Sequence, residues 1–294
     1  MNHLVLARKY RPACFADVVG QDLIVKTIKS ALAKNRMAHA LLLTGGRGIG
    51  KTTIARIVAK AMVCLNPKDA EPCNACAQCV AIDNFSSLDV MEIDGASHTS
   101  VDDVRDLRDS ARYQPTSAKY KIFIIDEVHM LSISAFNALL KILEEPPAHV
   151  VFIFATTESH KLPQTILSRC QRYDFKRLSV NNIYETLKNV VAKENISIDD
   201  KGLLLIASLA DGAMRDALSM CEQILSSGQD HYSSEHVAQI LGVVSQQAIK
   251  DLSEFLLNKE VAPALFIIKD IYEKGLDLCQ LMDGLTERFR MLSL

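Results

Sequence analysis

Five short apolar runs punctuate the first part of the chain: Ala40–Thr44, Val90–Asp94, Lys121–Asp126, Val150–Thr156 and Gln171–Phe175. They do not alternate apolar with polar positions. Such runs predict strands buried on both faces of a parallel sheet. Between them, helical periodicity covers Gln21–Lys34, Lys51–Met62, Val101–Ala111 and Ser134–Glu144. Alternation of strand and helix predicts an α/β fold with helices on both faces of the sheet. After Phe175 no further strand is expected. Ile183–Glu194, Asp199–Ala210, Met214–Ser226 and Ser233–Leu241 read as helices, with Asp199 and Ser233 as N-caps and a turn at Gly228-Gln229-Asp230. A further helical region covers Gln246–Leu257, Ala262–Lys274 and Leu276–Leu292 and ends without a stop signal, as if cut within a helical domain. The expected domains are 1–178, 179–243 and 244–294. No solenoid-type repeat is visible.

Composition narrows the class without naming a chemistry. Of 294 residues, 49% are hydrophobic and 23% charged, ordinary globular usage that excludes fibrous and low-complexity proteins. No apolar run approaches the ~20 residues that span a bilayer. The first nine residues lack the layout of a secretory signal, so the expected compartment is the cytoplasm. The net charge of −2 hides an asymmetry, because residues 1–60 carry eleven Lys/Arg against only Asp17 and Asp22. A basic start on an acidic body fits an anion site near the front, or a solvated lysine-rich face.

The anion site has a candidate. Gly45-Gly46-Arg47-Gly48-Ile49-Gly50-Lys51-Thr52, followed by Thr53, satisfies G-x-x-x-x-G-K-[ST] between a predicted strand and a predicted helix. The glycines let the backbone wrap a phosphate chain with successive N–H groups turned inward. The helix N-terminus adds partial positive charge. Lys51 is expected on the terminal phosphates and the Thr52 hydroxyl on Mg²⁺. The apolar strand Lys121–Asp126 then delivers Asp126 to its carboxyl end as a second Mg²⁺ group. Glu127 follows as the residue that orients the attacking water or takes its proton. Thr156 and Thr157 end another strand beside the expected γ-phosphate. Arg169 and Arg215 are polar positions that spacing alone leaves as solvated arginines.

Eight cysteines remain, and four of them crowd into Cys64-x8-Cys73-x2-Cys76-x2-Cys79. Disulfides are a poor explanation in a cytosolic setting. Four thiolates in one short stretch, with turns at Pro67, Pro72 and Asn74, fit a closed, structural Zn²⁺ site within residues 62–82. An iron–sulfur cluster and free thiols are the alternatives. Cys14, Cys170, Cys221 and Cys279 are expected as small buried hydrophobes.

Several further segments point the same way. They are Leu6–Pro12, Phe15–Gln21, Glu92-Ile93-Asp94-Gly95-Ala96-Ser97, Ile125–Leu131, Asn137–Pro147, Ser168-Arg169-Cys170 and Met214–Ser219. With the phosphate loop and the cysteine module, they make the chain resemble the gamma/tau family of bacterial DNA polymerase III, the ATPases of the replication clamp loader. The resemblance implies an AAA+ P-loop NTPase fold: a RecA-like parallel sheet, an all-α lid and part of an all-α collar. It implies ATP, Mg²⁺ and Zn²⁺ as ligands. It makes Thr157 a first sensor, Arg215 a second sensor, and Arg169 an arginine finger acting on ATP in an adjacent subunit. It sets Arg11, Val18 and Val19 at the adenine end. The implied partners are delta and delta-prime subunits, further copies in a ring, the sliding clamp and primer–template DNA, with no membrane. An incomplete collar puts self-sufficient ring formation in doubt, and a tau-type extension is not expected. His98-Thr99-Ser100 is little basic, so Arg105 is only a weak candidate for DNA contact. Two other functions remain in view: a helicase, suggested by Asp126-Glu127-Val128-His129, and a scaffold that binds nucleotide without turnover.

Overall fold

The structure is a computed structural model, and it describes residues 5–97, 101–229 and 231–292, without the side chains of residues 101–105 and 246. His98–Ser100 and the Arg105 side chain therefore lie outside the described residues. The chain forms two compact units. One comprises residues 7–182 with 212–215; the other comprises the rest.

The first unit is built on a five-stranded, all-parallel sheet. Its strands are β1 (Ala40–Thr44), β2 (Val90–Asp94), β3 (Lys121–Asp126), β4 (Val150–Thr156) and β5 (Gln171–Asp174), in the spatial order β2-β3-β4-β1-β5. Helices α1 (Leu6–Lys9), α2 (Asp22–Ala33), α3 (Lys51–Val63), α4 (Ala77–Asp83), α5 (Val101–Ala111), α6 (Ile133–Glu144) and α7 (Gln164–Leu167) fall between or before the strands. Alternation along each strand divides the core. Leu41, Leu43, Ile122, Ile124, Val151 and Ile153 pack with residues of α2 and α3 on one face. Leu42, Phe123, Ile125, Phe152 and Phe154 pack with α5 and α6 on the other. Phe152 stacks between Phe123 and Phe154, with centroids 5.4 and 5.8 Å away.

The expectation of two-sided burial holds for β1, β3 and β4 and fails at the margins. In β2 and β5 most residues are exposed or half-buried, because each is an outer strand paired on one side only. Polar Glu92, Gln171 and Arg172 are compatible with that position.

The order also fixes the geometry of the strand ends. β4 lies between β1 and β3, with Thr44 level with Thr156 and Ile125 level with Phe154. The turn after β1 and the acidic end of β3 thus flank Thr156. The sheet reverses its winding there, which is where such sheets open a crevice for ligands.

The second unit is mainly helical: α8 (Val180–Lys193, whose first residues belong to the first unit), α9 (Asp200–Leu209), α10 (Met214–Leu225), α11 (Ser234–Ile240), α12 (Gln246–Leu257), α13 (Val261–Glu273) and α14 (Leu278–Leu292). The expectation that strands stop after Phe175 needs correcting. β6 (Ser197–Ile198) and β7 (His231–Tyr232) form a two-residue parallel pair. Ile198 and Tyr232 are buried by it, and two residues are too few to leave a periodic signal. Ser233 caps α11 by accepting from the His236 N–H. Asp199 occupies the N-cap of α9 but its carboxylate makes no capping bond and lies 3.5 Å from His231 Nε2. Val244, Ile249, Leu252, Ala264, Ile271, Leu281 and Leu285 form a separate cluster among α12–α14. Among the described residues no helix is long and apolar enough to cross a membrane.

Candidate nucleotide site

The loop after β1 has the backbone its sequence predicts. Gly45, Gly48 and Gly50 all have positive φ, at 141°, 74° and 100°. A side chain at Gly48 would meet the Ala213 Cβ at 2.9 Å, so both conformation and close packing require glycine there. Over Gly46 and Gly50 a Cβ would meet nothing within 4 Å, so open space lies beside both. The buried Lys51 opens α3, and its ammonium donates to Gly45 O at 2.9 Å and Gly46 O at 2.6 Å. Burial pushes the Lys51 pKa below the ordinary lysine range, while Glu127 and Asp126 pull it back up.

The two Mg²⁺ candidates meet directly, with Thr52 Oγ1 donating to Asp126 Oδ2 at 2.6 Å. Asp126 Oδ1 accepts from the Glu127 N–H. Glu127 has left-handed backbone angles, φ 44° and ψ 45°. It is one of nine non-glycine residues with positive φ among the described residues, so the angles alone assign it no role. Its Oε2 accepts from Thr157 Oγ1 at 3.0 Å and from the Thr157 N–H at 3.3 Å. One oxygen of the candidate base is therefore tied to the residue just past β4.

Sequence reasoning missed His129. Its side chain is only 6% exposed, and its Nδ1 lies 3.4 Å from Glu127 Oε2 and 3.0 Å from Thr156 Oγ1. Its Nε2 lies 3.1 Å from Glu158 Oε2, and Glu158 also pairs with Lys161 at 2.8 Å. The available signal was the Asp126-Glu127-Val128-His129 tetrad, which pointed elsewhere, to a helicase motif. Its structural meaning is that the turn after β3 brings His129 back beside its neighbour Glu127.

Arg215 and Arg11 lie at the other side of the loop. The Arg215 N–H donates to Gly48 O at 3.3 Å. Desolvation first, then Arg56, lowers the Arg11 pKa; Glu92 opposes them, and Arg215 and Arg8 lower it further. Several guanidinium groups thus share one region beside the phosphate loop. Val18 packs against the core cluster that contains Ile49, whereas Val19 is exposed. Arg47 is exposed and Thr53 half-buried. Arg169 takes no part in this grouping. Its guanidinium donates to Thr165 O and to Glu144 Oε1, both at 2.8 Å.

The cysteine stretch folds into one cluster, with the ligand sulfurs of Cys64, Cys73, Cys76 and Cys79 all within 4.8 Å of one another. A tetrahedral Zn–S₄ site, with ~2.3 Å bonds, needs sulfurs about 3.8 Å apart. The donor set and spacing fit zinc. The Cys73 and Cys76 N–H groups already donate to neighbouring sulfurs at 3.3 Å. At Cys76, burial raises the thiol pKa, but the N–H groups of Leu65 and Cys79 and the adjacent thiols bring it down to about 6. Cys79 is pushed up, chiefly by burial. Of the single cysteines, Cys221 is buried as expected. Cys14 and Cys170 are half-buried, and Cys279 is exposed in the first turn of α14, which corrects the expectation of burial.

Comparison with known proteins gives these features a family. Residues 20–179 match the family described as DNA polymerase III, delta subunit. Residues 182–230 match the DNA polymerase III clamp loader subunit ATPase lid domain, and residues 232–294 match domain III of DNA polymerase III subunits gamma and tau. The chain is 47% identical over 290 residues to DNA polymerase III subunit tau of Bacillus subtilis, covering 99% of this chain and 52% of that one. It is 41% identical to the tau subunit of Escherichia coli, over 100% of this chain and 46% of the relative. It is 42% identical to DNA polymerase III subunit gamma of Buchnera aphidicola subsp. Acyrthosiphon pisum, over 94% and 77%. The chain spans about half the length of the tau relatives it matches. A Thermotoga maritima RuvB Holliday junction branch migration motor shares the fold with a TM-score of 0.59 at 17% identity, over 91% of this chain and 86% of that one. An AAA+ sheet with an ATPase lid and a further helical domain is thus established, and the chain belongs to the gamma/tau family of DNA polymerase III clamp-loader subunits.

Proposed function

We propose that the chain binds ATP with Mg²⁺ in the cradle of Gly45–Thr53 and hydrolyses it as a motor subunit that loads a sliding clamp onto primed DNA. The observation that supports this most strongly is the convergence of Lys51, the Thr52–Asp126 pair and the Thr157-tethered Glu127 at the ends of β1, β3 and β4. In this reading Lys51 leaves its loop carbonyls for the terminal phosphates. Thr52 and Asp126 hold Mg²⁺, which neutralises charge on the transferring phosphoryl group. Glu127 orients the attacking water and takes its proton. Thr157 fixes the Glu127 carboxylate and senses the γ-phosphate, and Arg215 senses nucleotide from the start of α10. Arg11, Val18 and Val19 line the adenine end. Arg169 leaves Glu144 to complete the site of an adjacent copy.

The four cysteines hold a structural zinc ion. Residues 1–178 act as the nucleotide-binding domain, 179–243 as the lid and 244–294 as the collar region. The partners are delta and delta-prime subunits, further copies of this chain, the clamp and primer–template DNA, in the cytoplasm. The helicase reading lacks support, since among the described residues only two-residue strands follow β5. The test is ATP turnover against added partner subunits, clamp and primed DNA. Stimulated turnover is expected; none with the full set present would leave the scaffold reading.

A further inference from the structure

The cysteine module is bolted to the first unit at three places. The Lys60 ammonium of α3, only 2% exposed, donates to both oxygens of Asp83 at the end of α4, at 2.9 and 2.8 Å. Gln78 donates to Ser117 at 2.9 Å in the approach to β3. The third contact runs back to the front of the chain. Lys68 and Glu71 pair across a tight turn whose central residues, Asp69 and Ala70, have φ of 50° and 62°. That turn aims Glu71 outward. Its Oε2 accepts from the Phe15 N–H at 2.7 Å and its Oε1 accepts from Lys29 of α2 at 2.8 Å.

Both contacts matter because of what Phe15 belongs to. Phe15 is 2% exposed and shares its core cluster with Ile49 of the phosphate loop and with Val18. Four residues before it, Arg11 lies within Coulombic range of Arg215, whose N–H is bonded to Gly48 O. The segment 11–18 therefore forms a wall beside the phosphate loop, and a carboxylate from the cysteine module holds that wall by its backbone. Glu71 stands between Cys64 and Cys73, two residues before Cys73. Glu71 thus lies on the loop whose two ends the four-sulfur cluster brings together.

We infer that Glu71 is a positioning residue through which the metal-bound cysteine module holds the 11–18 segment against the nucleotide's base, so that metal occupancy sets affinity for the whole nucleotide but not for its phosphates. The inference rests on the nucleotide reading above. A bare cluster lets the 64–73 loop spread, Glu71 withdraws, and the Phe15 N–H loses a charge-assisted partner. The phosphate loop, anchored between β1 and α3, is left as it was.

The test compares ATP with inorganic tripolyphosphate, each displacing a fluorescent adenine nucleotide from the full chain. Glu71→Ala is expected to weaken ATP about tenfold, the scale of one charge-assisted hydrogen bond, with tripolyphosphate within about twofold of wild type. Glu71→Gln, which keeps an acceptor for the Phe15 N–H but loses the charge facing Lys29, is expected in between. Zinc content, measured on the same samples, stays at the wild-type level in both variants. Removing zinc from wild type with a chelator reproduces the Glu71→Ala profile, and removing it from Glu71→Ala adds nothing, because both act on one contact. Equal ATP affinity in Glu71→Ala and wild type overturns the inference. So does a parallel loss of ATP and tripolyphosphate, or an additive effect of the chelator. Failure of wild type to bind ATP at all overturns instead the nucleotide reading, and is distinguished by that single control.

Discussion

Replacing Glu127 by Gln separates binding from chemistry. Gln meets the same left-handed backbone as Glu, so the φ of 44° adds no differential strain. Its carbonyl still accepts from the Thr157 N–H and Oγ1, which now approach a neutral oxygen instead of an anion. Glu127 is one-third exposed, so screening limits that loss to about 1 kcal/mol of stability. The hydrogen bonds of Lys51 and Thr52 do not involve Glu127, whose influence on Lys51 is Coulombic only, and nucleotide affinity is expected within about threefold of wild type. Turnover is different. A positioned base contributes about 10²- to 10⁴-fold, or about 3–5 kcal/mol of barrier, and an amide cannot take a proton. The assay is ATP hydrolysis with partner subunits, clamp and primed DNA, run beside equilibrium binding of a fluorescent nucleotide. Intact binding with hydrolysis lower by at least two orders is expected. Hydrolysis within a few-fold of wild type, with binding intact, would refute the assignment and move the base elsewhere in the site.

Three further predictions probe the surroundings. His129→Ala should lower the turnover number about tenfold at unchanged nucleotide affinity, and His129→Asn, which restores a polar nitrogen near the Nδ1 position, should recover most of it; an Asn variant no better than Ala would mean that the ring merely fills space. Lys51 has its native pKa below the ordinary 10.5, so between those two values the unfolded chain binds more protons and the nucleotide-free fold gains stability as pH rises. A polyphosphate favours the ammonium, so nucleotide affinity should fall across the same alkaline window, and titrations at increasing pH on wild type and Lys51→Arg should show the fall only in wild type. Arg169→Ala subunits mixed with wild type should silence turnover at sites they complete while still binding nucleotide themselves, which subunit-labelled hydrolysis would reveal.

The strands and helices were legible wherever packing enforces a single period. β1, β3 and β4 lie inside the sheet, and their apolar runs gave their ends to the residue. Gln171–Phe175 was legible as a strand but was grouped with the buried ones, although polar Gln171, Arg172 and Asp174 around buried Tyr173 are the mark of an outer strand. The β6–β7 pair was invisible because two residues per strand leave no period to read. Among the candidate site residues, Lys51, Thr52, Asp126 and Glu127 announce themselves by spacing, since phosphate-loop chemistry calls for those types at fixed offsets from strand ends. His129 and Glu71 do not. Each is carried by a turn onto a group distant or unexpected in sequence, Glu71 onto a backbone N–H 56 positions away. No periodic pattern records a contact of that kind.

The Arg169–Glu144 pair has a consequence for discrimination between anions. Glu144 closes α6 and Arg169 follows α7, so the carboxylate is tethered beside the guanidinium at an effective concentration of roughly millimolar or above. A singly charged competitor from solution gains nothing by displacing it. In the proposed assembly, a magnesium triphosphate from an adjacent copy would concentrate several charges in one place and displace it. On the arginine-finger reading proposed above, an idle protomer presents a neutralised pair, and the guanidinium is freed where an adjacent copy's triphosphate reaches it.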